Sequence, residues 1–333
     1  MQLPRFEYIQ PQSLQEACGV LREQNGKAVA LAGGTALMVD LRRKLCRPDA
    51  VVGMKALAGL SYLRQGADGG LAIGAMATLE AIESSPIVAD GYAPLAEAAR
   101  LVGVPPLRHL ATAGGNLCQD TRCIYYNQSE FWRMARPACF KLGGQVCHAV
   151  KQGKRCLAVF QSDLAPVLLA MQSKVQIVGA AGQRVIPLAE FYTGRGEKPN
   201  VLEPGEILAE VQVPATSRNA AGAYEKLRMR EGMDYPLAGV AVSIEIGSNG
   251  VVTQARLVLG AVAAAPVEVP EATEVLLGQR PSEALLEAAA QKTYEAARPI
   301  GNLAVDASYR RKMVRTLTRR ALQRALASAG AIN

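Results

Sequence analysis

Apolar residues along this chain fall into two rhythms, and each predicts a different kind of element. Residues 4–24, PRFEYIQPQSLQEACGVLREQ, predict a short strand and then a helix capped by Ser13, with Glu16 three residues on in a capping-box arrangement. Residues 27–43, KAVALAGGTALMVDLRR, give an apolar β-run, a Gly-Gly turn and a helical stretch. AVVGMKAL (50–57) predicts a second strand, LAIGAMATLEAIESS (71–85) a strand running into a helix, and PLAEAARLV (94–102) a helix. At 108–117, RHLATAGGNL repeats the earlier theme, with Gly114 and Gly115 in a turn between Thr112 and Asn116.

Periodicity fades between 123 and 159. That stretch holds Trp132, most of the cysteines and many basic residues, and it predicts an irregular inserted subdomain. Beyond it, SDLAPVLLAMQSKVQIVGA (162–180) resumes as helix then strand. A turn-rich connection (191–206) follows, then a strand ending at Pro214. From about 215 the runs YEKLRMREGMDYPLAGVAVSIEIG and VVTQARLVLGAV alternate as strands around the turn dipeptide Asn249-Gly250. Two helical segments, 281–297 and 309–326, close the chain. Together these predict an α+β protein of two units: 1–215, carrying the insert 123–159, and a smaller α+β domain over 216–333.

Composition narrows the class. At 333 residues and 50% hydrophobic, the chain has ample core for more than one domain, and disordered or collagenous classes are excluded. Much of the net charge of +8 lies at 310–324. A basic helix of this kind can meet nucleic acid, an acidic partner or nothing, and without interleaved aromatic residues nucleic acid is disfavoured. The N-terminus lacks a basic segment followed by an apolar run, and no apolar stretch approaches the ~20 residues of a membrane span. The expectation is a cytoplasmic protein with no membrane partner.

Two sets of residues could carry chemistry. Each Gly-Gly motif follows a β-run and has a hydroxyl or amide beside it, so backbone N–H groups could approach a pyrophosphate closely. Neither is GxGxxG or GxxxxGK[ST], which disfavours Rossmann and Walker sites. The second set is Cys123, Cys139, Cys147 and Cys156, with Cys118 as a fifth candidate. No CxxC pair is present, so a zinc ribbon is not favoured; on spacing alone a [4Fe–4S] cluster, unliganded thiols and zinc all stay open. Arg122, Arg133, Arg136, Lys141 and Lys154 surround these cysteines in sequence and would favour thiolates. His109 and His148 are the sole histidines, too few for a multi-histidine metal site.

Eight blocks, from PRFEYIQPQSLQEA, LAGGTAL, IGAMATLEAI and RHLATAGGNL to SDLAPVLLA, IPLAEFYTG, EPGEILAEVQVP and YEKLRMREGMDYPLAGVAV, occur in the order seen in the FAD-binding subunits of the molybdenum hydroxylases. This chain resembles that family over essentially its whole length. The resemblance implies a two-lobed flavin domain of the vanillyl-alcohol-oxidase/PCMH type followed by a small C-terminal domain of the CO dehydrogenase flavoprotein type. It implies that Ala30, Leu31, Ala32, Gly33, Gly34, Thr35, Ala36 and Leu37, with Thr112, Ala113, Gly114, Gly115 and Asn116, wrap the FAD pyrophosphate. Asp163 would bind the FAD ribose, and Leu208 and Lys226 would lie beside the isoalloxazine.

The insert adds to the match. Here 47 positions separate Asn116 from Asp163, far more than in ordinary members. Its length, four cysteines and lead-in NLCQDTRCIYYNQSEFWR resemble the β subunits of 4-hydroxybenzoyl-CoA reductases, whose flavin subunit carries an additional [4Fe–4S] cluster. The resemblance implies Cys123, Cys139, Cys147 and Cys156 as its ligands and leaves Cys118 as a non-ligand. It further implies partner subunits holding a molybdenum cofactor and [2Fe–2S] centres, a dimer of heterotrimers, and ferredoxin as electron donor, which the basic insert could steer. Two rivals are a flavin subunit of a related hydroxylase oxidising an aromatic, purine or aldehyde substrate, and a zinc- or disulfide-stapled binding module without flavin.

Overall fold

A computed structural model describes residues 3–66, 68–217 and 219–330. The first lobe is a parallel sheet in which β3 (Ala50–Gly53) lies between β1 (Glu7–Ile9) and β2 (Ala28–Leu31). Helix Leu14–Glu23 covers it, with Ser13 Oγ accepting from the Glu16 amide as expected of a cap. Ala17, Cys18 and Leu21 from that helix meet Val52 and Met54 in a small core.

The second lobe is built on an antiparallel sheet of β4 (Leu63–Gln65), β5 (Leu71–Gly74), β6 (Lys174–Gly179), β7 (Gly182–Pro187) and β10 (Ile207–Val213), in the order β4-β5-β10-β6-β7. Helices Leu79–Ser84, Ala93–Arg100 and Leu164–Ala170 pack a core around Ile73, Ile82, Leu95, Leu164, Val175 and Val211. Burying each such side chain contributes about 1.5–3 kcal/mol, which is why these elements persist although several are only one or two turns long. The stretch 191–206, read as a turn-rich connection, contains a hairpin of β8 (Tyr192–Arg195) and β9 (Lys198–Asn200).

The C-terminal sheet runs β11 (Ala220–Leu227), β12 (Ala238–Ile246), β13 (Val252–Gly260), β14 (Val267–Glu268). Side chains alternate between its faces. Val240, Val242, Leu257 and Leu259 meet helices Glu283–Ala296 and Ala307–Ser328, whereas Tyr224, Ala241 and Val258 join the core of the second lobe. Helix Leu164–Ala170 thus lies under this sheet, and Gly260 lets it in: a Cβ there would stand 2.8 Å from Pro166. The region read as one strand from 224 to 247 is two, because the stretch holding Gly232, Asp234 and Pro236 interrupts the run and turns the chain back, so that β12 pairs antiparallel with β11. Asn249-Gly250 does lie in the β12–β13 connection, with Gly250 at φ +76°.

Insert 123–159 is largely irregular, with one helical turn-and-a-half at Glu130–Met134 and a 3₁₀ turn at Phe140–Leu142. Its neck is closed by an antiparallel bridge between Arg122 and Val159. The basic C-terminal helix is mostly spoken for within the chain. Arg315 and Arg319 pair with Glu287, Arg324 with Glu97 and Glu225, and Arg310 is fully buried.

Candidate functional site

The first Gly-Gly motif leaves β2 and enters helix Leu37–Arg42. Gly34 sits at φ +72°, a conformation glycine adopts without a Cβ penalty. Among the described residues no acceptor is present for the amides of Gly33, Gly34, Thr35, Ala36 and Leu37, whereas the next amide, Met38, bonds to Gly34 O. Five successive unpaired N–H groups on a half-exposed turn form a concave donor surface suited to a diphosphate.

The second motif is used differently. Ala113–Leu117 is a short helix, not the free turn expected, with Thr112 as its N-cap. The Ala113 amide donates to Ala77 O, Gly114 to Ala75 O, Gly115 to Thr112 Oγ1 and Asn116 to Thr112 O, so these donors are consumed by the protein. The physical reason is proximity to the end of β5: a Cβ on Gly114 would lie 2.8 Å from that of Ala75. This segment instead buttresses the first loop. A Cβ on Gly33 would fall 1.8 Å from Leu110 O, and the Cβ position of Gly115 lies 3.8 Å from Ala32. Both motifs are therefore brought together, the first presenting amides and the second supporting them from behind.

Asn116 extends this support. Its Oδ1 accepts from Ser162 Oγ (2.6 Å) and the Leu164 amide (3.4 Å), fixing the turn that carries Asp163. Asp163 is 3% exposed. Its two oxygens accept from Tyr224 Oη (2.8 Å) and Lys226 Nζ (2.9 Å), and Lys226 also donates to Leu101 O. Burial pushes the Asp163 carboxyl above the ordinary carboxylate range, while the Lys226 ammonium and the Tyr224 hydroxyl pull it back. Leu208 lies in the core of the second lobe, 3% exposed, paired on β10 with Ile177 of β6. The structure thus places the Asp163 carboxylate, the Lys226 side chain and Leu208 inside the second lobe and its seam with the C-terminal sheet, with both Asp163 oxygens taken by protein donors. Tyr224 was not singled out from the sequence, yet it stands two residues before Lys226 on one strand, and period-2 spacing places both on one face.

Cys123, Cys139, Cys147 and Cys156 line a single pocket together with Tyr125, Tyr126, Phe140, Lys141, Val146, His148 and Leu157. Among the described residues no three His, Cys, Asp or Glu side chains converge tightly enough for one metal ion. Four thiolates around a single zinc would stand about 3.8 Å apart at a Zn–S distance of ≈ 2.3 Å, whereas a cluster core needs its ligands spread around a larger volume. Four thiols facing one pocket are the donor type an all-thiolate cluster takes. Burial raises the Cys123 thiol, opposed by hydrogen bonds from the Tyr125 and Tyr126 amides, and raises Cys156 to about 11, opposed by the Ala158 amide and Lys141.

Of the five basic residues expected around the cysteines, Lys141 alone lines the pocket. Its ammonium, on a side chain 5% exposed, donates to Asp120 Oδ1, Thr121 Oγ1 and Gly196 O at 2.6–2.7 Å, locking the insert to the body. Arg133 turns to the carbonyls of Gln128, Arg43 and Lys44, and Arg136 stacks on Trp132. Arg122 stacks on Tyr235. Gly196, unremarked in the sequence, abuts Cys156: a Cβ there would be 2.7 Å from its Sγ. Cys118 follows the second motif and does not line the pocket, and His148 contacts Pro137 O.

The chain matches the family described as FAD binding domain in molybdopterin dehydrogenase over residues 4–216. Over residues 222–325 it matches the CO dehydrogenase flavoprotein C-terminal domain. It is 28% identical to the carbon monoxide dehydrogenase medium chain of Hydrogenophaga pseudoflava, across 97% of this chain and 98% of that one. It is 31% identical to the aldehyde oxidoreductase FAD-binding subunit PaoB of Escherichia coli K12, across 75% and 79%. The solved carbon monoxide dehydrogenase from Hydrogenophaga pseudoflava, lacking the Mo-pyranopterin moiety of its cofactor, aligns with a TM-score of 0.82 at 28% identity, covering 98% of this chain and 99% of that one. Among the described residues no helix is long and apolar enough to cross a membrane. Both domains are matched in order along nearly the whole chain, and it belongs to the family of FAD-binding oxidoreductase subunits of the molybdenum hydroxylases.

Proposed function

We propose that this chain is the FAD- and [4Fe–4S]-carrying electron-transfer subunit of a heteromeric molybdenum enzyme of the 4-hydroxybenzoyl-CoA reductase type. The observation that carries this reading is the convergence of Cys123, Cys139, Cys147 and Cys156 on one pocket. When bound there, an all-thiolate [4Fe–4S] cluster supplies one-electron transfer at low potential, and FAD supplies the exchange between one- and two-electron steps.

The chain's own residues bind, orient and shield. The amides of Gly33 to Leu37 take the FAD diphosphate, with Leu110 and Gly115 of the second segment packed against that loop. Asp163 serves the FAD ribose, its carboxylate held by Tyr224 and Lys226, and Leu208 and Lys226 lie beside the isoalloxazine. Phe140, Val146 and Leu157 restrict water around the four sulfurs, and the amides of Tyr125, Tyr126 and Ala158 stabilise two of them as thiolates. The organic substrate is held elsewhere, on a partner subunit with the molybdenum cofactor; a further partner carries [2Fe–2S] centres, in a dimer of heterotrimers. Ferredoxin is the donor.

A second reading, a flavin subunit that passes electrons outward from an oxidised substrate, is favoured by relatives named as subunits of a carbon monoxide dehydrogenase and an aldehyde oxidoreductase. The complex purified with its partner subunits decides between them. Supplied with reduced ferredoxin and 4-hydroxybenzoyl-CoA, it forms benzoyl-CoA under the first reading. Turnover of an aldehyde or purine with an artificial acceptor, and none of the thioester, assigns the second.

A further inference from the structure

The neck of the insert is an antiparallel pair that ends one rung early. Arg122 and Val159 exchange both backbone hydrogen bonds, at 2.7 and 2.8 Å. In a regular ladder the next such rung falls two residues on, between Ile124 and Leu157. Asn302 stands in its place. The Ile124 amide donates to Asn302 O (2.8 Å), and Asn302 Nδ2 donates to Leu157 O (2.7 Å). One residue from the C-terminal domain, 2% exposed, therefore separates two strands that would otherwise pair, beside Cys123 on one and Cys156 on the other.

Asn302 is itself held. Arg310, fully buried, reaches it from the last helix: Nη1 donates to Asn302 Oδ1 (3.4 Å) and Ile300 O (3.0 Å), Nε to Leu237 O and Nη2 to Ala261 O. A guanidinium with four acceptors is a rigid anchor, since its planar fork has few other geometries. From the other side Gly196 presses on Cys156, so the strand bearing that thiol is fixed on both flanks.

We propose that Asn302, anchored by Arg310, is a positioning residue of the cysteine pocket: it replaces a ladder rung with a wedge and so sets the separation of Cys123 and Cys156. This rests on the cluster reading above. It gives a role to the reach of a C-terminal domain, remote in sequence, to Ile124 and Leu157 of the insert. Paired strands would draw the two thiols together; the wedge holds the strands that bear them apart.

The test compares the parent complex with Asn302→Ala and with Asn302→Asp, which keeps the volume but cannot donate to Leu157 O. Iron and FAD per chain, the rate of iron loss to a chelator, and the electron paramagnetic resonance spectrum of the reduced cluster are measured. Retained FAD shows that each variant is folded. The expected result is iron loss about 10-fold faster or more in both variants, the range for groups that orient metal ligands, with a shifted spectrum. Iron retention and spectra equal to the parent in both overturn the proposal. Should the parent hold no iron, the cluster reading fails, and hydrogen exchange then decides on the wedge. Faster exchange over 121–126 and 155–159 in Asn302→Ala with FAD retained upholds it, and unchanged exchange overturns it.

Discussion

Substituting Gly33 by alanine tests the loop that presents the unpaired amides. The added Cβ would fall 1.8 Å from Leu110 O and 2.5 Å from Leu110 C, both backbone atoms that cannot rotate aside. Ordinary contact begins at 3.4 Å, so the two segments must part by about 1.6 Å. A hydrogen bond of ordinary length, roughly 2.9 Å, does not survive such a shift. Each bond to a charged group contributes about 1.5–3 kcal/mol, so loss of two costs about 3–6 kcal/mol. At 1.4 kcal/mol per decade this is a fall in FAD affinity of about 10²- to 10⁴-fold. The loop is half-exposed and lies outside the cores, so global stability should drop by only about 1–3 kcal/mol, the usual cost of overpacking. The flavin-to-protein absorbance ratio after gel filtration, and titration of the flavin-free complex with FAD, read the effect. A Gly33→Ala protein that keeps one FAD with unchanged affinity would refute the contact between this loop and the diphosphate.

Three further outcomes follow from individual contacts. Gly196→Ala directs a Cβ to 2.7 Å from Cys156 Sγ, so iron content should fall while FAD stays bound; equal iron in both proteins argues against Cys156 as a ligand. Asp163→Ala leaves the Lys226 ammonium buried without its carboxylate, and denaturant melts should show a loss of about 3–5 kcal/mol, a loss below ~1 kcal/mol being incompatible with the buried pair. Asp40, one of whose carboxylate oxygens is buried without a partner, titrates at about 6 when folded, raised chiefly by burial against an ordinary value of 3.8. The folded form therefore holds a proton that the unfolded chain has released, and the associated stability is lost as pH rises from about 4 to 6. Asp40→Asn should stabilise the protein by about 1–3 kcal/mol at pH 8 and leave it unchanged near pH 4; a pH-independent difference contradicts the assignment.

Much of this was legible in the residues. Ser13 caps its helix, the turn at Asn249-Gly250 joins two paired strands, and Cys123, Cys139, Cys147 and Cys156 share one pocket; the residues alone left Cys118 beside them as a fifth candidate, and only the resemblance set it aside. What escaped depends on contacts between distant segments. The second Gly-Gly motif has the same local signature as the first, but the approach of Ala75 and Ala77 turns its amides inward and makes a helix of it. Arg133 and Arg136 carry the right charge for the cysteines and find carbonyls and rings closer at hand. Nothing local marks Asn302 or Gly196, whose roles exist only where the C-terminal domain and the β8–β9 hairpin meet the insert.

The central claim is that one chain carries both a flavin and a [4Fe–4S] cluster, and metal and flavin analysis of the anaerobically purified complex tests it most directly. Parent protein is compared with a variant in which Cys123, Cys139, Cys147 and Cys156 are all serine, so that iron on partner subunits is subtracted. The account predicts a difference of about four iron and four acid-labile sulfide per chain, with one FAD in both proteins. Equal iron in the two, with FAD present, would contradict it and leave the cysteine pocket without a cluster.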